Sequence, residues 1–86
     1  MSTITVQLRY FASLREVLGA SESFSLADGS TVRQLRDALI ARGGRHAEAL
    51  ARQRAVRVAV QQVMSDEATP LMDGAEVAFF PPVTGG

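Results

Sequence analysis

The residues of this chain best suited to chemistry are its last six, Pro81-Pro82-Val83-Thr84-Gly85-Gly86. Two prolines fix φ and favour an extended polyproline stem, which leaves a sheet without donating to it. The four residues after Pro82 reach roughly 13 Å at about 3.3 Å each. Gly85 and Gly86 carry no side chain, so this end can thread a narrow channel and adopt whatever φ the channel imposes. The terminal α-carboxyl of Gly86 is sterically open. Pro81, Pro82, Val83, Thr84 and Gly85 are read as the stem that gives it access. A frayed terminus, common in domains, would not require a stiff Pro-Pro stem before an open Gly-Gly end.

Composition removes most other chemistries. Cysteine is absent, which excludes disulfides, thiolate metal sites and a cysteine nucleophile or persulfide. All nine basic residues are arginine, so Schiff-base catalysis and lysine attachment of a modifier are excluded as well. A single histidine, His46, leaves little for a zinc site or a Ser-His-Asp triad, and no metal site is expected. As an enzyme working alone, the chain is badly equipped.

Charge is balanced overall but unevenly spread. Residues 32–57 carry seven arginines against Asp37 and Glu48, whereas residues 58–86 carry Asp66, Glu67, Asp73 and Glu76 and no basic residue. The arginine cluster lacks interleaved aromatics and any recognisable nucleic-acid motif, so it reads as a solvated helix face and no nucleic-acid partner is expected. The acidic final third is a plausible docking surface for a basic partner. No run of 18 apolar residues is present to span a membrane. Met1-Ser2-Thr3 does not open a signal peptide. A cytoplasmic protein without a membrane partner is expected.

The elements that must position the tail can be read from periodicity. Eighty-six residues, 47% hydrophobic and 21% charged, are one globular domain's worth of chain. Ile4, Val6, Leu8 and Tyr10 alternate with Thr3, Thr5, Gln7 and Arg9, which predicts a half-buried strand. Phe11 to Leu18 reads as a short helical turn stopped by Gly19. Ser23 to Ala27 reads as a second strand, with Phe24 and Leu26 assigned to opposite faces, closed by an Asp28-Gly29 turn. Thr31 and Gln34 form a T-x-x-Q capping box for the main helix. Val32, Leu35, Leu39 and Ile40 make its apolar stripe, Arg33, Gln34, Arg36 and Asp37 its polar remainder, and Gly43-Gly44 its end. A further helical turn is expected within 45–55, through Ala47, Leu50 and Ala51. Val56, Val58 and Val60 predict a third strand, Val63 and Met64 a short fourth, and Glu76 to Phe80 the last. There Val77 and Phe79 share one face, Ala78 and Phe80 the other.

One long helix covers only one face of a sheet, so the other is solvated or bound. The order matches an α+β, ubiquitin-like β-grasp: a mixed sheet with one main helix on one face, the first and last strands parallel and adjacent. The domain is expected at 1–80, with 81–86 as an extended tail.

The run Asp73-Gly74-Ala75-Glu76-Val77-Ala78-Phe79-Phe80-Pro81-Pro82-Val83-Thr84-Gly85-Gly86 closely resembles the C-terminus of the small, sulfur-carrying subunits of molybdopterin synthase. Phe11-Ala12-Ser13-Leu14-Arg15-Glu16 resembles that family's segment after the first strand, and Thr31-Val32-Arg33-Gln34-Leu35 its main-helix start. The likeness spans essentially the whole chain. One departure is Gln61-Gln62, where the family usually has Asn-Gln; asparagine tolerates left-handed backbone better than glutamine.

The resemblance implies a mechanism. Gly86 would be adenylylated with ATP by a ubiquitin-activating-like adenylyltransferase and converted to a thiocarboxylate by a sulfur donor protein. The tail would then enter the large synthase subunit and give sulfur to cyclic pyranopterin monophosphate. Two large and two small subunits would assemble. No cofactor would be bound permanently, and the catalytic side chains would belong to the large subunit. Phe11 and Met64 match apolar positions at which the family meets its partners, and Arg15 a position facing partner enzymes. Rim-of-core packing is the alternative for the first two, and a plain surface charge for Arg15. Phe80 is expected on the open sheet face if Val77 and Phe79 face the helix. The alternatives for the chain are a sulfur carrier for thiamine or another thio-metabolite, a ubiquitin-like protein modifier, and a structural interaction module.

Overall fold

The computed structural model describes residues 2–81. The elements run β1 (Thr3–Tyr10), α1 (Ala12–Leu18), β2 (Ser21–Ala27), α2 (Val32–Ala41), α3 (Gly44–Ala49), β3 (Arg57–Val60), β4 (Val63–Ser65) and β5 (Glu76–Phe80). The sheet order is β2-β1-β5-β3-β4, with β1 and β5 parallel and the other pairs antiparallel. This is the β-grasp arrangement that the element order predicts, with the last strand at the centre.

The alternation of β1 becomes one buried face. Ile4, Val6, Leu8 and Tyr10 are at most 5% exposed, and they join Val77 and Phe79 of β5 beneath Val32, Leu35 and Leu39 of α2. Each such side chain contributes about 1.5–3 kcal/mol by leaving water. The α2 capping box forms as expected: the Thr31 N–H donates to Gln34 Oε1 at 2.8 Å, and the Gln34 N–H donates to Thr31 Oγ1. The Asp73-Gly74 turn is tied to β1, because the Thr5 N–H donates to Asp73 Oδ1 and the Gly74 N–H donates to the Thr5 carbonyl. Gly74 holds φ +82°, which disfavours any side chain there.

Two expectations need correcting. Phe24 and Leu26 lie on the same, helix-covered face of β2, because residues two apart in a strand share a face. Arg36 does not join the solvated face of α2. It is only 6% exposed, and its guanidinium donates to the carbonyls of Leu50, Ala51 and Arg54 at 2.7–2.9 Å and to Glu67 Oε2 at 2.9 Å. The carbonyls of Ala51 and Arg54 also accept the N–H groups of Arg54 and Val56, so the guanidinium adds a second donor to these turns and ties them, with the Leu50 carbonyl, to α2.

The departure at Gln61-Gln62 has a definite geometry. Both residues take positive φ, 51° and 68°, and form the two-residue turn between Val60 and Val63. That is the primed hairpin turn, whose twist matches the flanking strands. The strain is offset by β5: the Gln61 N–H donates to the Glu76 carbonyl, and Gln61 Oε1 accepts from the Glu76 N–H at 2.6 Å.

Arg36→Leu is expected to lower stability by about 2 kcal/mol, because it removes four charge-assisted hydrogen bonds, although the Ala51 and Arg54 carbonyls keep a backbone donor and Glu67 keeps Arg52. Urea denaturation checks this, and a loss below about 1 kcal/mol would mean those carbonyls find other partners.

Candidate functional site

The open face of the sheet is polar toward β2 and apolar toward β5. Direct cross-strand partners share a face, so Met64, Ala59, Ala78 and Arg9 form one row across it. Phe80 lies beside this row, opposite Arg57. Val77 and Phe79 are buried on the helix side, which places Phe80 on the open face as expected.

Phe80 does not stand alone. Its ring stacks on Phe11 with centroids 4.8 Å apart and planes 9° from parallel. The guanidinium of Arg9 lies 5.6 Å from the centre of the Phe11 ring, and Arg9 also pairs with Glu76 at 3.6 Å. Phe11 reaches this position because it caps α1 in extended conformation and donates its N–H to the Phe79 carbonyl. Met64 is 56% exposed at the far end of the row, beyond the small side chains of Ala59 and Ala78. Phe11, Phe80 and Met64 therefore occupy one apolar strip.

Arg15 is exposed on α1 and is not part of the strip. Pro81 leaves the end of β5 and forms one wall of a groove of about 480 Å³ between α1 and α3, with Leu14, Val17, Arg45 and Arg54. The stem thus starts where the aromatic stack ends. Pro82, Val83, Thr84, Gly85 and Gly86 lie outside the described residues.

Sequence reading missed Arg9, whose place one residue before Tyr10 on the polar side of β1 carried the only signal. It also assigned nothing to His46, which joins a polar cluster on the helix side. Tyr10 Oη donates to Glu22 Oε2 at 2.8 Å, His46 Nε2 lies 2.9 Å from the same oxygen, and Arg42 donates to Glu22 Oε1 at 2.7 Å. Tyr10 is buried core, its hydroxyl pushed well above its ordinary value by burial first and by Glu22 second. Burial alone would raise the Glu22 carboxyl, but hydrogen bonds from Arg42, His46 and Tyr10 outweigh it and hold the carboxyl below its ordinary value. Among the described residues no group of three or more His, Cys, Asp or Glu could hold a metal ion. No helix among them is long and apolar enough to cross a membrane.

The mixed five-stranded sheet, its order and its helices define the class: a ubiquitin-like β-grasp protein. A family model described as the ThiS family matches residues 8–86, and the chain belongs to that family. It is 42% identical over 81 residues to the molybdopterin synthase sulfur carrier subunit of Escherichia coli (strain K12), covering 94% of this chain and 99% of that one. Among solved structures it resembles the Haloferax volcanii HVO 2177 protein, with a TM-score of 0.83 and 33% identity, covering 98% of this chain and 88% of that one. It also resembles a chain of the complex of subunits 1 and 2 of molybdopterin-converting factor from Helicobacter pylori 26695. That likeness has a TM-score of 0.64 and 27% identity, over 96% of this chain and 100% of that one.

A carboxyl held low by folding stabilises the fold above its unfolded pKa, and that contribution is lost as pH falls through the lower folded value. Glu22→Gln is therefore expected to reduce stability at neutral pH and to flatten the loss of stability below the ordinary 4.5. Denaturant titrations across that range check it, and wild-type and variant curves that stay parallel would refute it.

Proposed function

We propose that this chain is the sulfur carrier of a molybdopterin synthase and works in the cytoplasm. The observation that supports this most is the placement of Phe80 and Pro81. One strand ends in a half-exposed aromatic contact and continues directly into the stem of a Gly-Gly tail, in a chain similar to named sulfur carriers.

The chemistry follows from what a carboxylate lacks. It is a poor electrophile, so an adenylyltransferase partner joins the Gly86 carboxylate to the AMP moiety of ATP and releases pyrophosphate. The acyl-adenylate then has a good leaving group. Sulfur at the sulfide level, supplied by a sulfur donor protein, attacks the acyl carbon, the acyl–AMP bond breaks and AMP leaves, giving a thiocarboxylate on Gly86. Sulfur presented as a persulfide gives an acyl disulfide first, which a thiol reductant cleaves with two electrons. The charged tail enters the large synthase subunit, where the sulfur bonds to a carbon of cyclic pyranopterin monophosphate and water cleaves the acyl–sulfur bond, returning Gly86 to its carboxylate. Two such transfers build the dithiolene. ATP is consumed by the activating partner and is not a resident cofactor of this chain. Side chains that assist the transfer belong to the large subunit, and two large and two small subunits assemble.

The aromatic strip is the docking surface in this reading. Phe11, Phe80 and Met64 supply the apolar contact, the Ala59–Ala78 floor lets a partner approach closely, and Arg15 meets the partners from α1. Gly85, Thr84, Val83, Pro82 and Pro81 span the distance from this surface to the reacting carboxyl.

Intact mass with C-terminal fragmentation, before and after incubation with the activating enzyme, ATP and a sulfur source, is expected to show oxygen replaced by sulfur at Gly86. Methionine oxidation gives nearly the same nominal shift, so the change must be localised to Gly86. Adding one residue after Gly86 is expected to abolish sulfur transfer while leaving fold and partner binding intact. An extended chain that stays unprocessed and fully active would defeat the mechanism. Phe80→Asp is expected to weaken binding to the large subunit by about 2 kcal/mol or more, measured by titration calorimetry. Unchanged affinity would remove Phe80 from the docking surface.

A further inference from the structure

The free edge of β2 is long and lacks the usual protection. It pairs with β1 without interruption from Ala27 to Ser21, and it contains no proline, no lysine and no bulge. Its backbone direction follows from two hydrogen bonds at its ends. The Tyr10 N–H donates to the Ala20 carbonyl and the Asp28 N–H donates to the Ser2 carbonyl. In an antiparallel ladder, bonded and non-bonded pairs alternate. Glu22, Phe24 and Leu26 therefore turn their backbone groups toward β1, while Ser21, Ser23, Ser25 and Ala27 turn theirs outward.

We propose that two copies of this chain pair through their β2 strands, antiparallel, about a twofold axis at Phe24. A symmetric pair needs an isologous register, in which the same patch serves both copies. Centred on Phe24, Ser23 faces the second copy's Ser25 and Ser21 faces its Ala27. All four outward residues then donate and accept once. Glu22 faces Leu26, and the two Phe24 side chains meet directly.

The neighbouring registers are worse for stated reasons. Centring on Ser25 sets Glu22 against Asp28, and centring on Glu22 sets two carboxylates against each other; like charges directly opposite destabilise a sheet. Centring on Ser23 leaves Ala27 beyond the paired region. The serine side chains at 21, 23 and 25 are small and uncharged, so nothing on the open face obstructs a neighbouring strand. The Glu22 carboxylate is already engaged by Arg42 and His46, and Arg42 also lies 5.7 Å from the Phe24 ring centre. The result is one continuous sheet across both copies. β4 is the opposite edge, so the aromatic strip and the stem at Pro81 stay uncovered.

Two measurements on the full chain test this. Analytical ultracentrifugation from micromolar to millimolar concentration is expected to show a monomer–dimer equilibrium that Ser25→Pro abolishes. Among the described residues the Ser25 N–H is unused, so proline there spares the β1 ladder, and circular dichroism verifies the fold. A wild-type chain that stays monomeric throughout, or a dimer that survives Ser25→Pro in a folded variant, overturns the proposal. The second measurement does not depend on the proline variant folding. The chain has no cysteine, and a non-hydrogen-bonded antiparallel pair brings Cα atoms to about 4.5 Å, within disulfide range. Phe24→Cys is expected to form a disulfide-linked dimer at least tenfold faster than Gln53→Cys, whose position is exposed and off the edge. Equal rates overturn the register.

Discussion

Pairing of the last strand between the first and the third is the constraint on which the rest of this structure depends. β5 is hydrogen-bonded on both sides, parallel to β1 and antiparallel to β3, so both its faces are defined by its neighbours. Parallel pairing of chain-distant strands closes a long loop, and that entropy cost must be recovered by burial. Val77 and Phe79, both at most 1% exposed, supply it on the helix side. The same alternation turns Phe80 outward, and the strand's end fixes where Pro81 departs. The geometry of the candidate site is thus a direct product of the core.

The two faces of the sheet divide the work. Beneath the helices, a single apolar cluster runs from Ile4 to Phe79 and excludes water. On the other face no helix is packed among the described residues, and the surface grades from the Ser and Thr residues of β1 and β2 to the aromatic stack at Phe11 and Phe80. In the proposed docking, the Phe11–Phe80 stack is already formed in the chain by itself. That lowers the ordering cost of docking.

Two charged clusters compensate for irregular backbone. Arg36 threads under the 50–54 segment and donates to its carbonyls, while Arg52 bridges Asp37 and Glu67 across the surface. Glu67 is held below its ordinary value although burial opposes this, because Arg52 and Arg36 both donate to it. On the β2 side Glu22 gathers Tyr10, Arg42 and His46 and so ties α2 and α3 to the sheet. Removing one partner from such a set leaves a charge or carbonyl poorly solvated, which is where its energetic weight lies.

The amino-acid sequence by itself determined the strands, the capped main helix and the division of β1 and β5 side chains into two faces, because period-two and period-3.6 patterns are local. Which face of β5 the helix covers, and so whether Phe79 or Phe80 is buried, it left open. It also marked the stem and the Gly-Gly end, whose backbone properties belong to proline and glycine wherever they stand. The assignment of Phe24 and Leu26 to opposite faces failed against that same local rule. Other features are non-local. Arg36 has the sequence character of a solvent residue, and only the return of the 50–54 carbonyls over α2 buries it. His46 had no partner in its own segment and acquired Glu22 from a strand 24 residues away. Gln61 adopts a left-handed turn because β5 lies alongside to accept and donate its hydrogen bonds. The convergence of Phe11, Phe80 and Met64 was decided by tertiary structure alone. Their separation along the chain is spanned only when β5 enters between β1 and β3, since a cross-strand neighbour is set by register and not by sequence distance.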